Sequence, residues 1–263
     1  MKRALTIAGS DSGGGAGIQA DLKTFGALGV FGMSAITAVT AQNTVAVTRI
    51  QEISPDVVAA QIDAVADDIG VDAAKTGMLW SAAIIEVVAA AVKRHRIPNL
   101  VVDPVIVSKS GARLLKENAI ATLTSRLLPL AAMVTPNLPE AQTLAGMAVP
   151  DAEAMREAAR RLHALGPRCV VIKGGHAEGP NVVDLFYDGK DFQELKAERV
   201  ETRSTHGTGC TFSAAIAAYL AHGLTPLDAV SRAKDYVTAA LRAAPGLGKG
   251  VGPLNHFHAP RPS

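Results

Sequence analysis

Two cysteines in 263 residues, Cys169 and Cys210, are too few for a disulfide framework, and their spacing fits neither a CxxC motif nor a zinc-ligand pattern. Aromatic residues make up only 4% of the chain, which argues against a stacking surface for nucleic-acid bases. The formal net charge is +2 and there is no long basic run, so no nucleic-acid partner is expected. The one short cluster, Lys93-Arg94-His95-Arg96, ends a helical pattern, where cations suit the helix dipole. No apolar stretch reaches membrane-spanning length without glycines or polar breaks, so no membrane partner is expected. Met1–Gly9 is too short an apolar run for a signal peptide, and a soluble cytoplasmic protein is the expectation.

Hydrophobic residues make up 48% of the chain, mostly Ala, Val, Leu and Ile, enough for a sizeable core. Short apolar runs at 3–8, 33–40, 73–76, 100–102, 133–135 and 169–173 read as buried strands. Segments 16–28, 57–69, 81–92, 117–128, 151–165, 212–220 and 225–243 read as helices between or after them. Asp188-Gly189-Lys190 between 182–187 and 191–195 signals a hairpin. Strand–helix alternation predicts an α/β fold, a mainly parallel sheet with helices on both faces. No repeat, linker or composition break divides 1–263, so one domain is expected.

Ligands of such folds bind beyond the carboxyl ends of the strands. The polar and glycine-rich pieces fall there: Gly9–Gly17, Gln42-Asn43, Gly77-Met78, Asp103, Asn137–Glu140 and Lys173–His176. In Thr205-His206-Gly207-Thr208-Gly209-Cys210-Thr211 a glycine-rich loop runs into an apolar helix. That arrangement reads in two ways. It is either an ordinary capped turn with Cys210 as a small buried residue, or an anion hole of backbone N–H groups with a thiol whose pKa is lowered by the helix start.

Gly15-Ala16-Gly17-Ile18-Gln19-Ala20 matches a relaxed dinucleotide fingerprint, but 35–40 carries no carboxylate for a ribose, which demotes a nicotinamide enzyme. The strict P-loop sequence is absent. Asp103, directly after a strand, is either a cap or a metal or proton group. Asn137 and Glu140, three apart, can face the same way with oxygen donors suited to Mg²⁺. Lys173 can reach a phosphate as a point charge. His176 reads as a loop histidine, and His256 and His258 as surface residues of the tail.

Along its whole length the chain resembles the hydroxymethylpyrimidine/phosphomethylpyrimidine kinases of thiamin biosynthesis, within the ribokinase-like superfamily. The resemblance rests on Ala8-Gly9-Ser10-Asp11-Ser12-Gly13-Gly14-Gly15-Ala16-Gly17-Ile18-Gln19-Ala20-Asp21-Leu22-Lys23, Thr40–Thr44 and Lys75–Leu79. It continues through Asp103-Pro104-Val105, Lys109-Ser110-Gly111, Thr135–Ala141, Lys173–His176, Thr205–Thr211 and Gly248–Pro253. It implies a ribokinase-like three-layer α/β/α fold, ATP and Mg²⁺ as cofactors, a small pyrimidine as substrate, and a homodimer. It carries Gly9, Asp21, Gln42 and Met78 over as substrate contacts, and Lys173, Thr205, Gly207 and Lys249 as nucleotide contacts. Asp103, Asn137 and Glu140 carry over to the metal environment, and Gly207, Thr208, Gly209, Cys210 and Lys173 to catalysis.

The expected mechanism is in-line transfer of the ATP γ-phosphoryl group, with Cys210 as thiolate accepting the hydroxymethyl proton or orienting that hydroxyl. Many ribokinase-like sugar kinases have Asp where this chain has Cys210, and some pyridoxal kinases share the cysteine. A pyridoxal kinase is therefore the alternative within the superfamily, and a non-catalytic nucleotide-binding protein the alternative outside enzymes.

Overall fold

The computed structural model describes residues 1–107, 114–175 and 179–258. The motif Lys109-Ser110-Gly111 and His176 lie outside the described residues. The strands are β1 (Arg3–Asp11), β2 (Phe31–Gln42), β3 (Val47–Glu52), β4 (Ala73–Thr76), β5 (Leu100–Val102), β6 (Met133–Val134), β7 (Cys169–Ile172), β8 (Asn181–Tyr187) and β9 (Phe192–Glu198). The helices are α1 (Gly17–Ala27), α2 (Pro55–Asp68), α3 (Ala82–Arg94), α4 (Ala119–Thr122), α5 (Leu138–Ala145), α6 (Ala152–Ala164), α7 (Thr208–His222) and α8 (Pro226–Arg242). All nine strands join one sheet in the order β3-β2-β1-β4-β5-β6-β7-β8-β9. From β2 to β7 every pairing is parallel; β3, and the β8–β9 hairpin, add antiparallel edges.

Side chains alternate across a strand, so each central strand feeds two cores. Leu5, Ile7, Leu100, Val102, Val134, Val170 and Ile172 pack on one face with residues of α2, α3 and α6. Ala4, Ala73, Val101, Met133, Cys169 and Val171 pack on the other with α1, α7 and α8. The second face is built largely of small residues on both sides. That lets α7, buried over nearly its whole circumference from Thr211 to Ala218, lie close to the strand ends. The helix that opens at the anion-hole loop is therefore the central helix of its layer, a rigid base for a site.

Three of these helices open on side-chain caps: Ser81 accepts from Ile84 N–H, Asp151 from Ala154 N–H and Thr225 from Asp228 N–H. The helix expected over 117–128 does not form as one piece. A single α-turn at 119–122 widens over 123–127 and tightens over 128–130. The hydroxyls of Thr124 and Ser125 bond the carbonyl of Ala121, and Pro129 supplies no N–H, so the regular ladder is interrupted. No helix among the described residues is long and apolar enough to cross a membrane.

The tail corrects the surface reading of His256. Its side chain is buried, its ring nitrogen lies 3.1 Å from Thr211 Oγ1 in α7, and its carbonyl accepts the Tyr236 hydroxyl at 2.6 Å. Burial, with Lys23 and His258 adding repulsion, depresses its pKa from 6.5 to about 4. A histidine whose folded pKa is lowered binds fewer protons folded than unfolded. Its contribution is complete above pH 6.5 and is lost as pH falls toward 4. Acidification across that window is expected to cost about 3 kcal/mol through this group. Urea unfolding of His256→Gln at pH 7 and pH 4 should show that much less acid loss than the parent protein.

Candidate active site

The carboxyl ends of β1, β2, β5 and β7 and the start of α7 enclose one cleft of about 640 Å³. At its floor α7 opens with Gly207 as N-cap, at φ 81°. A side chain there would be strained, and its Cβ would overlap the Gly15 carbonyl oxygen, so the first loop and the anion-hole loop touch backbone to backbone. Of the first-turn amides of α7, that of Thr208 reaches the Thr205 carbonyl at 3.4 Å, while those of Gly209 and Cys210 have no carbonyl one turn earlier within the helix and are available to an anion. Thr205, which also lines the cleft, accepts the Thr208 hydroxyl at 2.8 Å and so shapes this turn.

Beside the amides stands Lys173, whose Nζ lies 2.8 Å from Asp103 Oδ1. A Cβ on Gly209 would come within 3.2 Å of that ammonium, so glycine keeps the approach open. The two groups arrive from different strands. Asp103 follows β5 and donates its own N–H to the Thr76 carbonyl, while Lys173 follows β7 and bonds the Pro136 carbonyl. Burial disfavours the Lys173 charge, but Asp103 and Glu140 outweigh it and raise the pKa, so the ammonium stays charged. Ser213, one turn into α7, completes the Asp103 shell at 3.4 Å.

Glu140 is buried, and burial, reinforced by Asp103 and opposed by Lys173, lifts its pKa to about 7. Asn137 and Glu140 do come together, but as a reciprocal cap of α5. Asn137 Oδ1 accepts the Glu140 N–H at 2.9 Å, and Glu140 Oε2 accepts the Asn137 N–H at 2.8 Å. The cap occupies one lone pair of Asn137 Oδ1 and one of Glu140 Oε2 and holds both side chains at the cleft. No group of three or more His, Cys, Asp or Glu that could hold a metal is present among the described residues. The carboxylates of Asp103 and Glu140 remain, a donor set suited to an ion that keeps its waters and binds phosphate oxygens.

Cys210 lines the cleft at the start of α7, as the sequence suggested, but its surroundings disfavour the thiolate. Burial raises its pKa to about 11; Lys75 and the Gly17 N–H favour the thiolate, while Asp21 and Asp103 oppose it. The loss of water around the sulfur outweighs the groups that favour the thiolate.

Asp21 is likewise corrected. It is fully buried and does not line the cleft, with Lys75 Nζ at 2.8 and 3.1 Å and the Thr6 hydroxyl at 2.6 Å. Lys75 is also fully buried. Burial works against its charge, yet Asp21, with Cys210 and Asp103 further off, raises its pKa. Lys249 is exposed on the tail and does not line the cleft; its segment is tied to Thr44 through the Val251 N–H at 2.9 Å. Gly9, Gln42 and Met78 do line the cleft, and a Cβ on Gly9 would lie 3.0 Å from Met78 Sδ. A side chain at Gly9 would press on Met78.

Two residues inside quoted motifs escaped notice as site residues. Asp11 is buried and accepts the N–H groups of Gly13, Gly15 and Ala16 at 2.8, 3.1 and 2.9 Å. Burial opposes its charge, but His206 and those N–H groups hold its pKa below the ordinary carboxylate value. His206 Nε2 lies 2.9 Å from Asp11 Oδ2, joining the first loop to the last. An acidic residue two positions before Gly13 in a glycine-rich loop was the available signal for a carboxylate collecting loop amides. Nothing local pointed to its partner 195 residues away.

The site therefore places an anion-binding helix start and a lysine–aspartate pair in the same cleft as Gln42 and Met78. Comparison with known proteins agrees. The family model described as phosphomethylpyrimidine kinase matches residues 11–255. The chain is 54% identical, over 97% of its length, to a thiamine biosynthesis bifunctional protein of Geobacter sulfurreducens, of which it spans about half (52%). It is 53% identical to a hydroxymethylpyrimidine/phosphomethylpyrimidine kinase of Rhizobium meliloti, with 97% of each chain covered. Among solved structures, a Bacillus subtilis pyridoxal kinase in complex with ADP superposes with a TM-score of 0.91 at 44% identity, with 97% of each chain covered.

Proposed function

Since the chain belongs to the phosphomethylpyrimidine kinase family, we propose that it phosphorylates 4-amino-5-hydroxymethyl-2-methylpyrimidine with ATP. A second transfer then converts the monophosphate to the diphosphate, for thiamine diphosphate biosynthesis. The observation that carries this reading is the shared cleft: Gly207–Cys210 and Lys173 face the same space as Gln42 and Met78. In the reaction the hydroxymethyl oxygen bonds to the γ-phosphorus as the bridging oxygen leaves with ADP. Transfer of this kind depends on positioning and charge stabilisation rather than on protein covalent chemistry.

The α7 amides and Lys173 stabilise the charge on the phosphoryl oxygens. Met78 covers the ring face, and Gln42 pairs with a ring nitrogen and the exocyclic amine, since its amide offers both a donor and an acceptor. Cys210, in its minor thiolate form, accepts the hydroxyl proton, or its sulfur orients that hydroxyl. Asp103 and Glu140 would hold Mg²⁺ with its waters, and the ion would neutralise phosphate charge. Asp21 acts indirectly, by fixing Lys75. The same reading has residues 1–263 acting as one unit, in the cytoplasm, as a homodimer, on small molecules.

Phosphorus NMR of purified protein with ATP, Mg²⁺ and the hydroxymethylpyrimidine is expected to show a phosphomonoester, then a diphosphate, with matching ADP. Absence of both resonances under saturating substrate sinks the reading. The likeness to a pyridoxal kinase supports a second reading, phosphorylation of pyridoxal. Parallel reactions separate the two, because only the pyrimidine is expected to accept a second phosphoryl group.

A further inference from the structure

The amide of Gln42 has two ends that a half-turn exchanges, and its neighbours decide which atom belongs where. Gln42 Nε2 lies 3.2 Å from His206 Nε2, and Gln42 Oε1 lies 3.2 Å from Thr40 Oγ1. His206 Nε2 also lies 2.9 Å from Asp11 Oδ2. A carboxylate only accepts, so Nε2 carries its hydrogen toward Asp11 and has no lone pair for an amide N–H. The Gln42 atom beside it must then be oxygen.

The other end accommodates the same orientation. Thr40 has one hydroxyl hydrogen and two acceptors in reach, the Ser10 carbonyl at 2.9 Å and the Gln42 amide at 3.2 Å; the shorter bond to Ser10 takes the hydrogen and leaves a Thr40 lone pair facing Gln42. The atom there must be nitrogen. With the amide exchanged, the His206 Nε2 hydrogen is shared between Asp11 and Gln42 Oε1, and Thr40 accepts a Gln42 N–H; without it, an N–H faces an N–H at His206. Gly15 supports the arrangement, because a Cβ there would lie 2.6 Å from His206 Cδ2 and displace the ring.

We infer that His206, held by Asp11, and Thr40, held by Ser10, lock Gln42 with Oε1 toward His206 and Nε2 toward Thr40, and thereby set which heteroaromatic edge the cleft accepts. The inference rests on the reading of Gln42 as the ring contact. One Oε1 lone pair and one Nε2 hydrogen are left for a ligand. They match a ring nitrogen beside an exocyclic amine. They oppose a lactam, in which a ring N–H sits beside a carbonyl, because Gln42 would have to turn against both of its holders. His206 and Thr40 are thus positioning residues for specificity.

The test compares kcat/KM for the aminopyrimidine alcohol with that for its 4-oxo analogue. The wild-type ratio is expected to be about a hundredfold or more, since mismatching leaves site groups unpaired. His206→Phe and Thr40→Val should each lower that ratio about tenfold, while Thr40→Ser should keep it. General losses in folding or phosphate binding affect both alcohols and cancel in the ratio. An unchanged ratio in both His206→Phe and Thr40→Val overturns the inference. Nitrogen-15 NMR of the free protein at mildly alkaline pH decides it without any substrate: the His206 proton is expected on Nε2, and a proton on Nδ1 alone overturns it. If neither alcohol is phosphorylated, the proposed activity falls, and the nitrogen spectrum still decides the lock.

Discussion

Cys210→Ala is expected to lower kcat by about two to four orders of magnitude at saturating ATP, the range for loss of a positioned proton acceptor. The pH dependence should be equally distinctive. The thiol pKa is raised to about 11 by burial, so the thiolate is a minor species at neutral pH. Turnover that uses it should rise about tenfold per pH unit between pH 6 and 9, because the ionised fraction does. Cys210→Asp replaces the thiol with a group ionised through that range, so its profile should be flat and its turnover should exceed that of the alanine variant. Near-full turnover of Cys210→Ala under saturating ATP removes the proton-acceptor role. It would leave the α7 amides as the anion site, since those belong to the backbone.

Lys75→Met is expected to destabilise the fold by about 3–5 kcal/mol, because it leaves Asp21 as an uncompensated charge with no exposed surface. The cost lies in the stranded partner more than in the lost attraction. A buried pair replaced as a unit by apolar side chains is often neutral. The double variant Lys75→Met with Asp21→Leu is therefore expected to recover most of the loss, apart from the Thr6 hydroxyl, which would lose its acceptor. Urea unfolding of the two single variants and the double variant forms the cycle. A double variant no more stable than Lys75→Met would remove the account of these residues as a self-contained pair. Because α1 carries Asp21 and β4 carries Lys75, loss of the pair should also loosen the first loop and raise KM for the pyrimidine.

Much of the molecule was legible from local pattern. The strands, the caps at Ser81, Asp151 and Thr225 and the hairpin at 188–190 lie where short-range chemistry puts them. The 117–128 segment failed because its hydroxyls compete with the helix ladder, an effect that apolar spacing does not report. Gly9, Gln42, Met78, Lys173 and the Thr205–Cys210 loop reach one cleft because parallel strands bring their carboxyl ends to one side.

By itself the sequence determined the alternation of strands and helices, the polar ends of the strands and the glycines that open the two loops. Each of these depends on a residue and its near neighbours. Only the tertiary structure decided that burial raises the Cys210 pKa, that Asp21 is buried with Lys75, and that Asp11 and His206 meet across 195 residues. The reason is that a charge or a proton is governed by every group within a few ångströms and by the water that burial removes, and the fold alone selects those neighbours.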